Sequence, residues 1–538
     1  MYHIILLAIG LGFAAISQAQ MPDDPQHRLF ETSDKCLACH NGLLTPGGED
    51  VSFGHDWQGS MMANASRDPY WQAAVRREIM DHPQAQAQIE DECAVCHMPM
   101  SRYQAKASGE LGQIFTHLPF PSRGSHQTLL AEDGVSCSAC HQITDRNLGE
   151  PESFTGGFHV DTESPPGRQQ ILGPFEIDPG RQEIMRSATG FIPRQGGHLQ
   201  TSEFCATCHT LYTHTLGEGG QVVGELPEQV PYLEWRHSDF PGHRSCQSCH
   251  MPVVQEDTPV TSVLGVPREG LSQHTFRGGN FFMLRLLNRY ASELGVKAPP
   301  QSLKASEERT LEFLRNGTAR LELKARQDGE GRLEAMVRVA NLAGHKLPTA
   351  YPSRRAWIHL QVHDAGGALV FESGRLTADG AIIGNDNDSD GTRYEPHYEL
   401  IEQPGQVQIY EAIMATPSGA VTTGLLSAVT FIKDNRLLPR GFNKATADSD
   451  IAVQGRASGD DDFADGHDQV RYRIAVDQYN GPFQVEARLW YQPIAYRWAH
   501  NLAAYDAEET NRFVRMYRSM ASQSGVVLAE TAAVVPGQ

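Results

Sequence analysis

All ten cysteines of this chain of 538 residues fall into five copies of one spacing, Cys-x-x-Cys-His. The copies end on His40, His97, His141, His209 and His250, and their thiols are Cys36 with Cys39, Cys93 with Cys96, Cys137 with Cys140, Cys205 with Cys208, and Cys246 with Cys249. Two thiols at this spacing reach the two vinyl groups of one porphyrin, and the histidine that follows is held beneath the iron as its axial ligand. A single copy could equally be half of a zinc site or a redox dithiol. Five copies, each with its histidine and with no cysteine left over, predict five covalently bound haems c and no disulfide.

A haem that only relays electrons is held from both faces, so five further ligands are wanted. Eleven histidines outside the motifs lie in the same stretch: His27, His55, His82, His117, His126, His159, His198, His214, His237, His243 and His274. His274 ranks first, because QHTFRGGN places glycines after it that let backbone approach a porphyrin face. His55, in Phe-Gly-His-Asp-Trp, comes next, then His126, His159 and His198 in loops around the motifs. Met61 and Met62 are alternatives, although buried methionine is more often packing. One candidate lies beyond this stretch: His345, in Gly344-His345-Lys346-Leu347-Pro348-Thr349. A rigid loop at a strand end holds a ligand with the precision of the sheet, so His345 is expected to cap the last haem across a domain boundary.

A calcium site is a further candidate. Asp386, Asp388 and Asp390 precede Gly391 in the D-x-D-x-D-G order that opens an oxygen-ligand loop. The twelfth position, where such a loop takes glutamate, holds His397, and a solvated acidic turn is the competing account. The second acidic run, Asp460–Asp462, reads as a solvated loop.

The elements that must position these residues follow from composition. Residues 1–19 resemble a secretory signal: an apolar run IILLAIGLGFAA, shorter than the ~20 residues of a membrane span, then Ser17-Gln18-Ala19 before Gln20. Residues 20–300 carry the motifs and are expected to form a haem-packed domain of short helices, such as Asp68–Met80 and Phe281–Leu294, joined by loops over Gly156–Pro179 and Gly217–Pro231. Within it Trp57-x-x-Ser60 and Trp235-x-x-Ser238, and Met98-Pro99 and Met251-Pro252, suggest that motifs one and two repeat as motifs four and five around a central third. From 301 to 495 alternating β-branched segments predict an all-β sandwich-like domain, and 496–538 reads as a C-terminal helical segment. The fold class is thus α+β and multidomain. A net charge of −20 argues against a nucleic-acid partner.

Trp57-Gln-Gly-Ser60, the run Gly134–His141 and the two Cys-His-Met-Pro sequences resemble multihaem cytochromes of the c-552/c-554 type, and Gly344–Thr349 with Tyr351–Arg355 resembles a β-domain signature found downstream of such haem regions. The resemblance implies electron transfer between redox partner proteins in the periplasm or outside the cell, with some relatives acting on nitrite or hydroxylamine. Two departures stand out: no Cys-x-x-Cys-Lys motif is present, and Met61-Met62 follows Ser60 where the c-554 pattern carries histidine. The leading expectation is an exported pentahaem electron carrier. The rival is an oxidoreductase acting on a small nitrogen or sulfur compound at one open-faced haem.

Overall fold

The computed structural model of the protein describes residues 28–537, apart from 122, 166 and 329. The signal-like segment and His27 lie outside the described residues. The first part of the chain is built from short helices. Asp68 starts the helix Pro69–Asp81 by accepting from the backbone N–H of Tyr70 and Trp71, with Pro69 supplying a pre-set φ at the first position. The helix Phe281–Arg289 buries Phe281, Phe282, Leu286 and Leu287 at helical spacing. Two expected loops contain strands instead. Gln170–Gly173 pairs in parallel with Ile192–Gln195, and Leu211–Leu216 forms a hairpin with Val222–Gln229.

The β region holds two main sheets. One runs Leu369–Ser373, Arg355–His363, Phe483–Gln492, Val526–Val535, with Ile409–Tyr410 also paired to Arg355–His363. The other runs Leu400–Ile401, His467–Ala475, Arg332–Asn341, Ala319–Gln327. Alternating residues of both, among them Val337 and Val339 from one and Leu360, Val485 and Leu489 from the other, are fully buried in a shared core. The end of the chain corrects the sequence expectation. Helices form at Tyr496–Asn501 and Glu508–Met520, but Val526–Val535 is a strand paired along Phe483–Gln492. Its alternation of Val526 and Leu528 with half-exposed neighbours has a strand's period of two, and the partner edge satisfies its backbone.

The same core also takes in Tyr70, Phe281, Leu286 and Tyr232 from the first part, so apolar packing runs across the boundary near residue 300. Polar contacts do too: Arg76 pairs with Glu509 at 2.9 Å, and Arg285 with Glu307 at 2.8 Å.

The acidic loop does not converge on a cation. Asp386–Ser389 forms one helical turn. Both carboxylate oxygens of Asp388 face the guanidinium of buried Arg355, at 2.8 and 2.9 Å, and one also accepts from the Ile382 N–H. Asp386 pairs with Arg393, and Asp390 accepts from Thr392. The buried arginine takes the charge of Asp388 that calcium would need. Asp460 is likewise not solvated: it is buried and lies 3.1 Å from His397.

Candidate haem-binding site

Each Cys-x-x-Cys-His sequence lies in or at the end of a short helix: Ser33–Leu37, Gln86–His97, Cys137–His141, Ser202–His209 and Cys246–His250. Helical residues three apart share a face, so the two thiols of each motif point the same way. All ten cysteines and all five motif histidines line one continuous cavity of about 1250 Å³. None of the thiols is in a disulfide.

Four of the five motif histidines share a hydrogen-bonding pattern. Nδ1 meets a backbone carbonyl in His40 (Val260, 2.6 Å), His97 (Ala65, 2.9 Å), His141 (Leu172, 2.5 Å) and His250 (Arg277, 2.5 Å). A carbonyl can only accept, so the proton sits on Nδ1 and Nε2 keeps its lone pair for a metal. His274 and His345 repeat the pattern, through the carbonyls of Ser272 at 3.0 Å and Lys346 at 2.9 Å, and both line the cavity.

These two rings face motif histidines. His274 lies 6.2 Å from His141, ring centre to ring centre and 15° from parallel; His345 lies 6.3 Å from His250 at 14°. Metal–imidazole bonds of about 2 Å, with ring centres about 1 Å beyond each nitrogen, put two axial imidazoles roughly 6 Å apart across one metal. The residues present therefore fit an iron porphyrin between each pair.

The other sequence candidates lie elsewhere. His126 and His198 spend Nε2 on the carbonyls of Phe30 (3.0 Å) and Ile143 (2.9 Å), and neither lines the cavity. His159 contacts Thr144 Oγ1 through Nδ1, and His55 sits beside Asp50 and Asp56; both are outside the cavity wall. Met61 and Met62 do line it. Sequence reasoning undervalued His214, which lines the cavity with Nδ1 held 3.2 Å from Glu92, the residue before Cys93. Its signal was its place in an alternating segment that forms the hairpin.

Contacts between motifs set which of them lie side by side. Trp57 Nε1 donates to the Val135 carbonyl at 2.9 Å, and Trp235 Nε1 to the Arg244 carbonyl at 3.0 Å. Each carbonyl lies two residues before a motif, the third and the fifth. The first-motif helix Ser33–Leu37 packs on the third-motif helix Cys137–His141, and the fifth-motif helix Cys246–His250 on the fourth-motif helix Ser202–His209. The spatial pairs are thus motif one with three and four with five. Motif two joins the others through motif four, where Cys96 lies within electrostatic reach of Cys208, and its His97 stacks on Trp71 at 4.3 Å and 4° from parallel. Cys140 lies within electrostatic reach of Cys205 and Cys208, joining motif three to four.

Buried acids line the same cavity. Burial pushes the carboxyl of Asp68 up to about 6 and that of Glu228 up to about 7, against hydrogen bonds from Tyr70 and Trp71 backbone and from Thr213 that pull them down. Tyr351, edge-on to Tyr70 at 5.8 Å, sits on the wall with Arg354 and Tyr491.

A buried cluster outside the cavity has metal-ligand composition: His397, Asp460 and Asp468. Its bonding opposes metal binding. His397 Nδ1 accepts from the amides of Gln408 (2.8 Å) and Asn435 (3.0 Å). Both amides are oriented by backbone N–H groups, those of Tyr398 and Glu411, on their oxygens. The imidazole proton therefore lies on Nε2, toward the carboxylates, and no lone pair is free there.

No family model matches the chain, and no curated protein matches it. This chain is similar in fold to a pentahaem cytochrome. The likeness is to the crystal structure of a penta-heme cytochrome c552 from Thermochromatium tepidum, with a TM-score of 0.53 and 16% identity, over 95% of this chain and 100% of that one. At that identity it concerns the fold alone. A second structure, HBP35 of Porphyromonas gingivalis, has a TM-score of 0.15 and 9% identity over 56% of each chain, and carries no argument. Among the described residues no helix is long and apolar enough to cross a membrane.

Proposed function

We propose that this chain is an exported c-type cytochrome that binds five haems and passes electrons between redox partner proteins in the periplasm or outside the cell. The observation that carries the reading is the convergence of all ten motif cysteines and all five motif histidines on one cavity. Bound haem supplies the one-electron iron couple. The chain's own part would be to fix spacing and ligation: each thiol pair would anchor one porphyrin, the backbone carbonyls on Nδ1 of His40, His97, His141 and His250 would leave Nε2 for iron, and His274 and His345 would add a second imidazole at the third and fifth motifs. Two imidazoles on one iron would leave no position for an exogenous ligand, which suits a relay.

A second reading is an oxidoreductase at one open-faced haem. What favours it is the gathering of Arg354, Tyr351 and Tyr491 on the cavity wall, with the Arg354 charge within reach of His209. A guanidinium and two phenols there could receive a small oxyanion of nitrogen or sulfur.

Mass spectrometry of the mature protein tests the first reading, with five covalent haem additions expected; fewer would refute it. Spin-state spectroscopy and CO or nitrite titration separate the two. A relay stays low-spin at every haem and binds neither, whereas the enzyme takes up one ligand per chain.

A further inference from the structure

The loop that presents His345 is tied to the haem-bearing part of the chain by one buried carboxylate. Glu234 lies on the short helix Pro231–Arg236, between motifs four and five, and is fully buried. Its Oε2 accepts from the Lys346 backbone N–H at 3.1 Å and from Thr349 Oγ1 at 2.5 Å. Its Oε1 lies 2.9 Å from Arg436 Nη1, off the hydrogen-bonding direction. The arginine grips Asp434 through Nε (2.9 Å) and Nη2 (2.7 Å), and Lys346 Nζ meets the same carboxylate at 2.7 Å. Two acids and two bases thus close a charge-balanced network, all four side chains being buried.

The rest of the loop is held from the β side. Asn341 Nδ2 donates to the His345 carbonyl at 2.9 Å, and Leu347 exchanges both backbone bonds with Leu437 at 2.9 Å. Gly344 lets the chain pass close to the rings of Phe240 and Trp235, where a Cβ would come within 3.1 and 3.3 Å of them. Glu234 ties this rigid loop to a helix that packs on the fourth-motif helix and whose Trp235 donates to the Arg244 carbonyl just before the fifth motif. Its two hydrogen bonds bracket the loop, one at the residue after His345 and one at Thr349.

We propose that Glu234 is the positioning residue that seats His345 on the fifth haem, so that docking of the β domain and ligation of that iron are one coupled event. The inference rests on His345 being the sixth ligand. A buried ion pair need not add stability over apolar packing, and such groups are best attested where they fix register. Here the register is that of an imidazole against an iron, for which a shift of about 1 Å decides whether a bond forms.

The test compares Glu234→Ala, Glu234→Gln, His345→Ala and the double variant Glu234→Ala/His345→Ala in the holoprotein, by EPR, CO binding and redox titration. Glu234→Ala is expected to convert one haem in five to a high-spin, CO-binding form that added imidazole returns to low spin. Glu234→Gln keeps an acceptor for Lys346 and Thr349 but drops the charge facing Arg436. It guards against a folding failure of the alanine variant, and is expected to shift the potential of one haem while all five remain attached. The double variant is expected to show still one high-spin haem, because both changes act on the same iron. Five low-spin haems with unmoved potentials in the Glu234 variants, beside one high-spin haem in His345→Ala, would overturn the proposal alone; so would two high-spin haems in the double variant. Five low-spin haems in His345→Ala itself would instead remove the ligand assignment beneath it.

Discussion

His141 and His274 hold their imidazoles 6.2 Å apart and 15° from parallel. Rings in direct contact come closer: Trp71 and His97 stack at 4.3 Å. The wider gap is therefore not van der Waals packing of the two rings. Both Nδ1 atoms are committed to carbonyls, so the nitrogens with free lone pairs are the remaining ones. His250 and His345 arrive at 6.3 Å and 14° from different parts of the chain.

In the proposed assignment the two pairs would serve different irons, which makes their loss additive. His274→Ala and His345→Ala are each expected to give one high-spin haem, and the double variant two, with all five haems still attached by mass. EPR integration checks this, and a double variant with a single high-spin haem would contradict the two-iron arrangement.

Glu228 predicts a pH dependence. Burial raises its carboxyl to about 7 from the ordinary 4.5, so the folded state favours the protonated acid. A raised folded value means that the stabilisation is complete below about 4.5 and is lost as pH climbs through about 7. Denaturant midpoints should fall between about pH 5 and about pH 8 in the native protein, and fall less in Glu228→Gln, which is neutral throughout. Equal slopes in both would assign the loss to other groups.

Asp388 and Arg355 are a buried pair, at 3% and 1% side-chain exposure. Asp388→Ala leaves the guanidinium unpaired and is expected to cost about 3–5 kcal/mol. Chelators, by contrast, should leave the melting temperature of the native protein unchanged, because the partner of this carboxylate is an arginine. A chelator-induced drop would restore the calcium account.

The helix Pro179–Thr189 buries none of its side chains, although Ile184, Met185 and Ala188 line the cavity beside the first motif. A helix of this length with no covered face is marginal in water. In Cys36→Ala/Cys39→Ala, which cannot attach the first haem, hydrogen exchange should lose protection across this helix while the strands Arg332–Asn341 and His467–Ala475 keep theirs. Unchanged protection would mean that something other than the first haem covers it.

Much of this was legible in the chain. The motif spacing named every residue that opens into the cavity as a thiol or proximal imidazole, and alternation located the strands from Ala319 to Phe483. His274 and His345 could be singled out from glycine-assisted loops. His126 and His198 could not be set aside in advance, because which ring nitrogen meets a carbonyl depends on tertiary placement. Trp57 and Trp235 are visible as equivalents in the sequence, but their indole bonds reach the third and fifth motifs, and only the folded chain shows which motif each one serves. Asp388 matched a loop pattern, yet Arg355 opposite it decided its role. Val526–Val535 follows two helices closely in the chain, although five of its ten residues are β-branched, and only its pairing along Phe483–Gln492 marks it as a strand.

The order of the thiols along the cavity gives the proposed relay a branched wiring plan. Thiols come within electrostatic reach of one another between motifs one and three (Cys36 and Cys137), three and four (Cys140 with Cys205 and Cys208), four and five (Cys205 and Cys246) and four and two (Cys208 and Cys96). Motif four is thus a junction with three arms, ending at motifs one, two and five. Such a circuit has three ports rather than two. One donor could feed it while two acceptors compete for the current, and the branch that drains it would be chosen by the relative potentials of the second and fifth sites.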